Sequence, residues 1–76
     1  MQLAKRIRAI RENSGLSQAD VAYELNISPQ AYSKIERQAD RARLETLRKL
    51  ADILSVSVVF LVDVDNPHVD EGKNNF

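Results

Sequence analysis

The residues of this 76-residue chain whose types and spacing could do chemistry lie between Ser17 and Arg37, SQADVAYELNISPQAYSKIER. Pro29, Gln30, Ser33, Lys34 and Arg37 fall on the outward side of a short helix, opposite the apolar Ala31, Tyr32 and Ile35. Their chemistry is recognition by hydrogen bonds. Glutamine can pair bidentately with adenine, and lysine can reach guanine or phosphate. The face therefore suits a helix whose N-terminal end enters the major groove of double-stranded DNA. Bond-making chemistry finds no comparable set. The sequence offers no nucleophile beside a base, no phosphate-cradling glycine loop and no metal-ligand cluster, and His68 stands alone. No enzyme activity, metal or cofactor is expected.

Two helices and a tight turn must position that face. Ser17-Gln18-Ala19-Asp20 is a capping box, in which the serine hydroxyl accepts from the first turn and the acidic side chain reaches back, so a helix should begin at Gln18. Val21, Ala22 and Leu25 give it an apolar side, leaving Asp20, Tyr23 and Glu24 to solvent. Asn26, which tolerates the left-handed conformation, ends it. Ser28 is a favoured N-cap and Pro29 a favoured first helical residue, so the second helix should run from Pro29 to Arg37.

The flanking segments supply the support. Leu3, Ile7 and Ile10 define an amphipathic first helix with Gly15 as its C-cap. Its other side carries Lys5, Arg6, Arg8 and Arg11, and for the first three a plain solvated face stays open as an alternative to any contact. Leu44, Leu47, Leu50, Ala51 and Leu54 form an apolar stripe for core packing, with Glu45/Lys49 and Arg48/Asp52 as surface pairs. Between these helices, residues 37–43 hold neither Gly nor Pro and should be partly helical, with Asp40 capping the next helix. Arg37, Arg41 and Arg43 are spaced to follow a DNA backbone beyond the second helix of the pair. Residues 58–62 are read as a final short helix capped by Ser57, against a β-branched composition that favours a strand.

Size and charge bound these readings. A chain this short makes one small domain, and without cysteine its core must come from helix packing, completed by a partner where needed. The N-terminus is too charged for a signal peptide, and the mostly apolar run 53–62 is about half of the roughly 20 residues that span a bilayer. No membrane association is expected, and a cytoplasmic location follows. Net charge is zero, but residues 1–62 carry ten Lys/Arg against seven Asp/Glu, and residues 63–76 four Asp/Glu against one Lys. The division is therefore a mildly basic domain, 1–62, and an acidic, flexible tail, 63–76.

At Leu16-Ser17-Gln18, Val21-Ala22, Leu25, Ile27-Ser28, Tyr32-Ser33, Ile35-Glu36-Arg37, Leu47, Leu50-Ala51 and Leu54-Ser55-Val56-Ser57, the chain resembles the Cro/CI-type helix-turn-helix regulators of the XRE family. The resemblance covers about residues 3–62. It implies an all-α, lambda-repressor-like bundle of about five short helices with the helix-turn-helix at its centre. It further implies a structural pair between Arg11 and Glu36, a phosphate contact from Gln18, and base-edge contacts from Gln30 and Lys34 with Ser33 between them. Pro29 departs from the pattern by replacing a base-reading polar residue, which leaves only apolar contact, for instance with a thymine methyl. Gln38 stands where the family usually has Gly, and Ala42 near its usual Pro. This loop looks more like that of some antitoxin-type members.

Val59, Phe60, Val62 and Val64 are more apolar residues than so short an element can bury, and many relatives dimerise at this end of the domain. They are the expected homodimer interface. Regulation of transcription as a repressor-like homodimer on an inverted-repeat operator is the main expectation. The alternative is an interaction module or antitoxin-type partner, in which the C-terminal segment binds another protein.

Overall fold

The computed structural model describes residues 2–65. Five helices follow one another, α1 (Gln2–Asn13), α2 (Gln18–Leu25), α3 (Pro29–Arg37), α4 (Leu44–Leu54) and α5 (Val58–Val62), with a 3-10 turn (Ala39–Arg41) between α3 and α4. Among the described residues there is no strand. The fold is all-α, with α2 and α3 forming a helix-turn-helix. α1 packs against α3, α5 and the 3-10 turn, while α4 supports α2 and α5. The common core takes Ile7 and Ile10 from α1, Val21 and Ala22 from α2, Tyr32 from α3, Leu47, Leu50 and Leu54 from α4, and Phe60 and Leu61 from α5.

Three helices stop by the same device. At Gly15, Asn26 and Ser55 the backbone turns left-handed, with φ of 78°, 60° and 60°. The next residue then returns its N–H to a carbonyl five positions back: Leu16 to Arg11, Ile27 to Ala22 and Val56 to Ala51. This is the Schellman arrangement, and in each case the returning residue is apolar and packs on the core. Helix starts are equally local. Ser17 and Asp20 form both bonds of the capping box, Ser28 caps α3 through the Ala31 N–H, and Ser57 caps α5 through the Phe60 N–H. That cap, with the burial of Phe60 and Leu61, holds α5 helical against its β-branched composition.

The structure corrects several expectations. Leu44 does not join the core stripe and is 57% exposed. It is the first residue of α4, and helical side chains lean toward the N-terminus, so this one projects past the helix end. Asp40 does not cap α4, because it lies within the 3-10 turn; Arg43 occupies the cap position without a side-chain bond. Ala31 is exposed, lying about 100° around the helix from Tyr32. Phe60, expected in a homodimer interface, is 3% exposed and packs within its own chain. The Arg6 guanidinium lies 4.4 Å from its ring centroid and donates to its carbonyl at 2.9 Å from Nε and 2.7 Å from Nη2. Arg6 is thus buried rather than solvated, tying α1 to α5. Of the expected tail, residues 66–76, with His68 and Phe76, lie outside the described residues.

Ser55 is a residue with a Cβ in a left-handed position that glycine adopts freely. Ser55→Gly is expected to stabilise the fold by about 0.5–1 kcal/mol, raising the midpoint of thermal unfolding by several degrees. A lower midpoint in a calorimetric scan would contradict the left-handed ending of α4.

Candidate nucleic-acid interface

α3 separates two environments. Its outer side presents Pro29, Gln30, Lys34 and Arg37, all exposed, with Ser33 half-buried and accepting through Oγ from Arg37 Nη1 at 2.8 Å. Its inner side presents Tyr32 and Glu36, both buried. A carboxylate at 4% exposure loses most of its hydration, and that cost has to be met by hydrogen bonds.

Three side chains meet it. Arg11 Nε donates to Glu36 Oε1 at 2.7 Å and Nη2 to Oε2 at 3.2 Å, a bidentate pair. Tyr32 Oη donates to Oε1 at 2.8 Å and Gln18 Nε2 to Oε2 at 3.1 Å. Arg11, itself 6% exposed, sends Nη1 to the Leu16 carbonyl at 2.8 Å, in the turn between α1 and α2. No buried side-chain polar atom among the described residues is left without a partner. Burial alone would push the Glu36 carboxyl up, but the bonds from Arg11, Tyr32 and Gln18 outweigh it and hold the group below the usual carboxylate range. The bond to Glu36 raises Arg11 despite its burial, and burial with the Glu36 bond raises the Tyr32 phenol.

Two open clefts flank α3. One, of about 740 Å³, lies between α1, the start of α2 and α3, and is lined by Lys5, Arg8, Gln18, Pro29 and Arg37 among others. The second, of about 350 Å³, gathers Lys34, Gln38, Arg41, Arg43 and Thr46 between α3, the 3-10 turn and the start of α4. Cations line both sides of a helix whose outer face is polar.

The family model described as helix-turn-helix matches residues 7–61. The chain belongs to the helix-turn-helix family, in its Cro/CI-type, XRE branch. It is 34% identical over 65 residues to the HTH-type transcriptional regulator ImmR of Bacillus subtilis (strain 168), across 86% of this chain and 51% of the relative. The chain therefore spans about half the length of this curated relative. No solved structure matches it.

Across this helix-turn-helix domain, the sequence-derived residues divide into groups. Pro29, Gln30, Ser33 and Lys34 share the outer side of α3, while Arg41 and Arg43 join Lys34 at one cleft and Gln18 joins Arg37 at the other. Arg11 and Glu36 form the pair already described. Val59, Val62 and Val64 are exposed on or just after α5, Val59 at 72%. Two members of the inner network escaped sequence reasoning. The Tyr32 hydroxyl carried a signal, since it stands four residues before Glu36 on the same helix and so on the same face. The bond from Gln18 to Glu36 spans 18 residues and has no local signature. Among the described residues no group of three or more His, Cys, Asp or Glu is placed to hold a metal, and no helix is long and apolar enough to cross a membrane.

Glu36 titrates below its unfolded value of about 4.3, so its contribution to stability is complete above that pH and is lost as pH falls through the folded value. Asp20, lowered by the Ser17 N–H and hydroxyl, acts in the same direction. Urea unfolding between about pH 5 and pH 2 should show falling stability in the wild type and a smaller fall in Glu36→Gln. Equal acid sensitivity in the two proteins would contradict the low carboxyl.

Proposed function

We propose that the protein is a sequence-specific DNA-binding transcriptional regulator that acts as a homodimer on an inverted-repeat operator. One observation carries the reading: α3 turns Gln30 and Lys34 outward to solvent while Glu36 anchors its other side to α1 and α2. A helix fixed from behind and polar in front is suited to reading base edges. In this reading Gln30 and Lys34 meet bases, Ser33 assists between them, and Pro29 makes apolar contact with a thymine methyl. Arg37, Arg41 and Arg43 meet phosphates. Gln18 gives one N–H to Glu36, and its amide has a second for a phosphate at the start of α2. The name of the Bacillus subtilis relative, a transcriptional regulator, supports the regulatory role.

Dimerisation is assigned to Val59, Val62 and Val64, apolar side chains that are exposed among the described residues. Two-fold symmetry then sets the half-site centres about 34 Å apart, one turn of DNA. Phe60 has no part in this surface, since its own domain already buries it.

Selection of bound sequences from a random duplex pool tests the reading. The wild type should enrich an inverted repeat, and Gln30→Ala/Lys34→Ala should relax it, with a loss of about 1–3 kcal/mol per lost base contact. Absence of any enriched sequence at modest salt would overturn it in favour of a protein-interaction role for the C-terminal segment. In sedimentation, Val59→Asp is expected to shift the wild-type dimer to monomer. A wild type that sediments as a monomer at every concentration tested would remove the dimer.

A further inference from the structure

We infer that Lys5 and Arg8 of α1 contact the DNA backbone, so that each subunit grips the duplex outside its helix-turn-helix as well as through it. This assignment rests on the proposed entry of α3 into the major groove. A helix with its side chains is about 10–12 Å across and the groove about 12 Å wide, so a seated helix has a phosphate backbone on each side. α3 contributes lining residues to both open clefts and so lies between them. The cleft holding Lys34, Arg41 and Arg43 faces one strand. The other, holding Lys5, Arg8 and Arg37, faces the opposite strand.

The charge available in that second cleft is positive. Its acidic lining residue, Glu36, is buried and bonded to Arg11, Tyr32 and Gln18, which leaves no exposed carboxylate among the lining residues to repel an incoming anion. Lys5 and Arg8 are exposed and stand three residues apart, on neighbouring positions of the α1 surface. Arg8 is paired at 3.2 Å with Glu12, an exposed i,i+4 contact of the kind that a phosphate readily displaces. The ligand chemistry is a phosphodiester, and continuity with Pro29 and Arg37 on α3 identifies its source as the duplex that α3 reads.

The test uses the full chain and the duplex selected by the wild type. Affinity is measured across a salt series for wild type, Lys5→Gln/Arg8→Gln and a control of equal charge loss outside the cleft, Arg48→Gln/Lys49→Gln. Each lost phosphate contact lowers the slope of log affinity against log salt by about 0.9, so the α1 variant should be shallower by roughly 1.8 with its sequence preference unchanged. The control should keep the wild-type slope. A wild-type slope in the α1 variant, or equal flattening in both double variants, would overturn the inference while leaving sequence-specific binding intact. A wild type that selects no duplex overturns the regulator reading itself, and this assignment with it.

Discussion

A buried carboxylate tolerates few arrangements around it, and Glu36 imposes that constraint on three helices at once. Its two oxygens accept from Arg11 of α1, Gln18 at the start of α2, and Tyr32 one turn earlier in α3. Arg11 also binds the Leu16 carbonyl, so the turn between α1 and α2 is drawn into the same network. Removing any of these donors would leave a lone pair or a charge away from water, a penalty larger than that of losing an exposed pair. The orientation of α3 therefore follows from an electrostatic requirement as well as from core packing. Arg6 plays a comparable part at the other end, where its guanidinium covers the Phe60 ring and bonds the Phe60 carbonyl.

This inner satisfaction frees the outer face. Because Glu36 is committed inward, the carboxylate of α3 adds no accessible negative charge, and apart from Pro29 and Ala31 the exposed side chains of this helix, Gln30, Lys34 and Arg37, are polar or cationic. A protein of zero net charge can in this way present a basic surface where it is needed.

Apart from the expected Asp40 cap of α4, features governed by neighbours along the chain were legible in the sequence. The caps at Ser17, Ser28 and Ser57, the left-handed Asn26, and the proline start of α3 all form as residue preferences dictate. Features governed by distant partners were not. The sequence cannot show that Arg6 will meet a carbonyl 54 residues away, nor that the core ends one turn short of Leu44. α5 shows tertiary structure overriding composition, since five residues rich in valine become a helix once one end is capped and one side is buried. The outer face of α3 was readable because periodicity alone separates it from Tyr32. The inward turn of Gln18 was not, because an amide can serve a phosphate or a buried carboxylate equally well.

The measurement that bears most directly on this account is a double-mutant cycle on Arg11→Met and Glu36→Gln, read by urea unfolding at neutral pH. Each single substitution strands a buried partner and should cost several kcal/mol, about 3–5 for a fully buried pair. The double variant should cost less than the sum by at least about 1 kcal/mol, the sign of direct coupling. Strictly additive losses would mean that the two side chains act independently, and that the anchoring of α3 must lie elsewhere in the core.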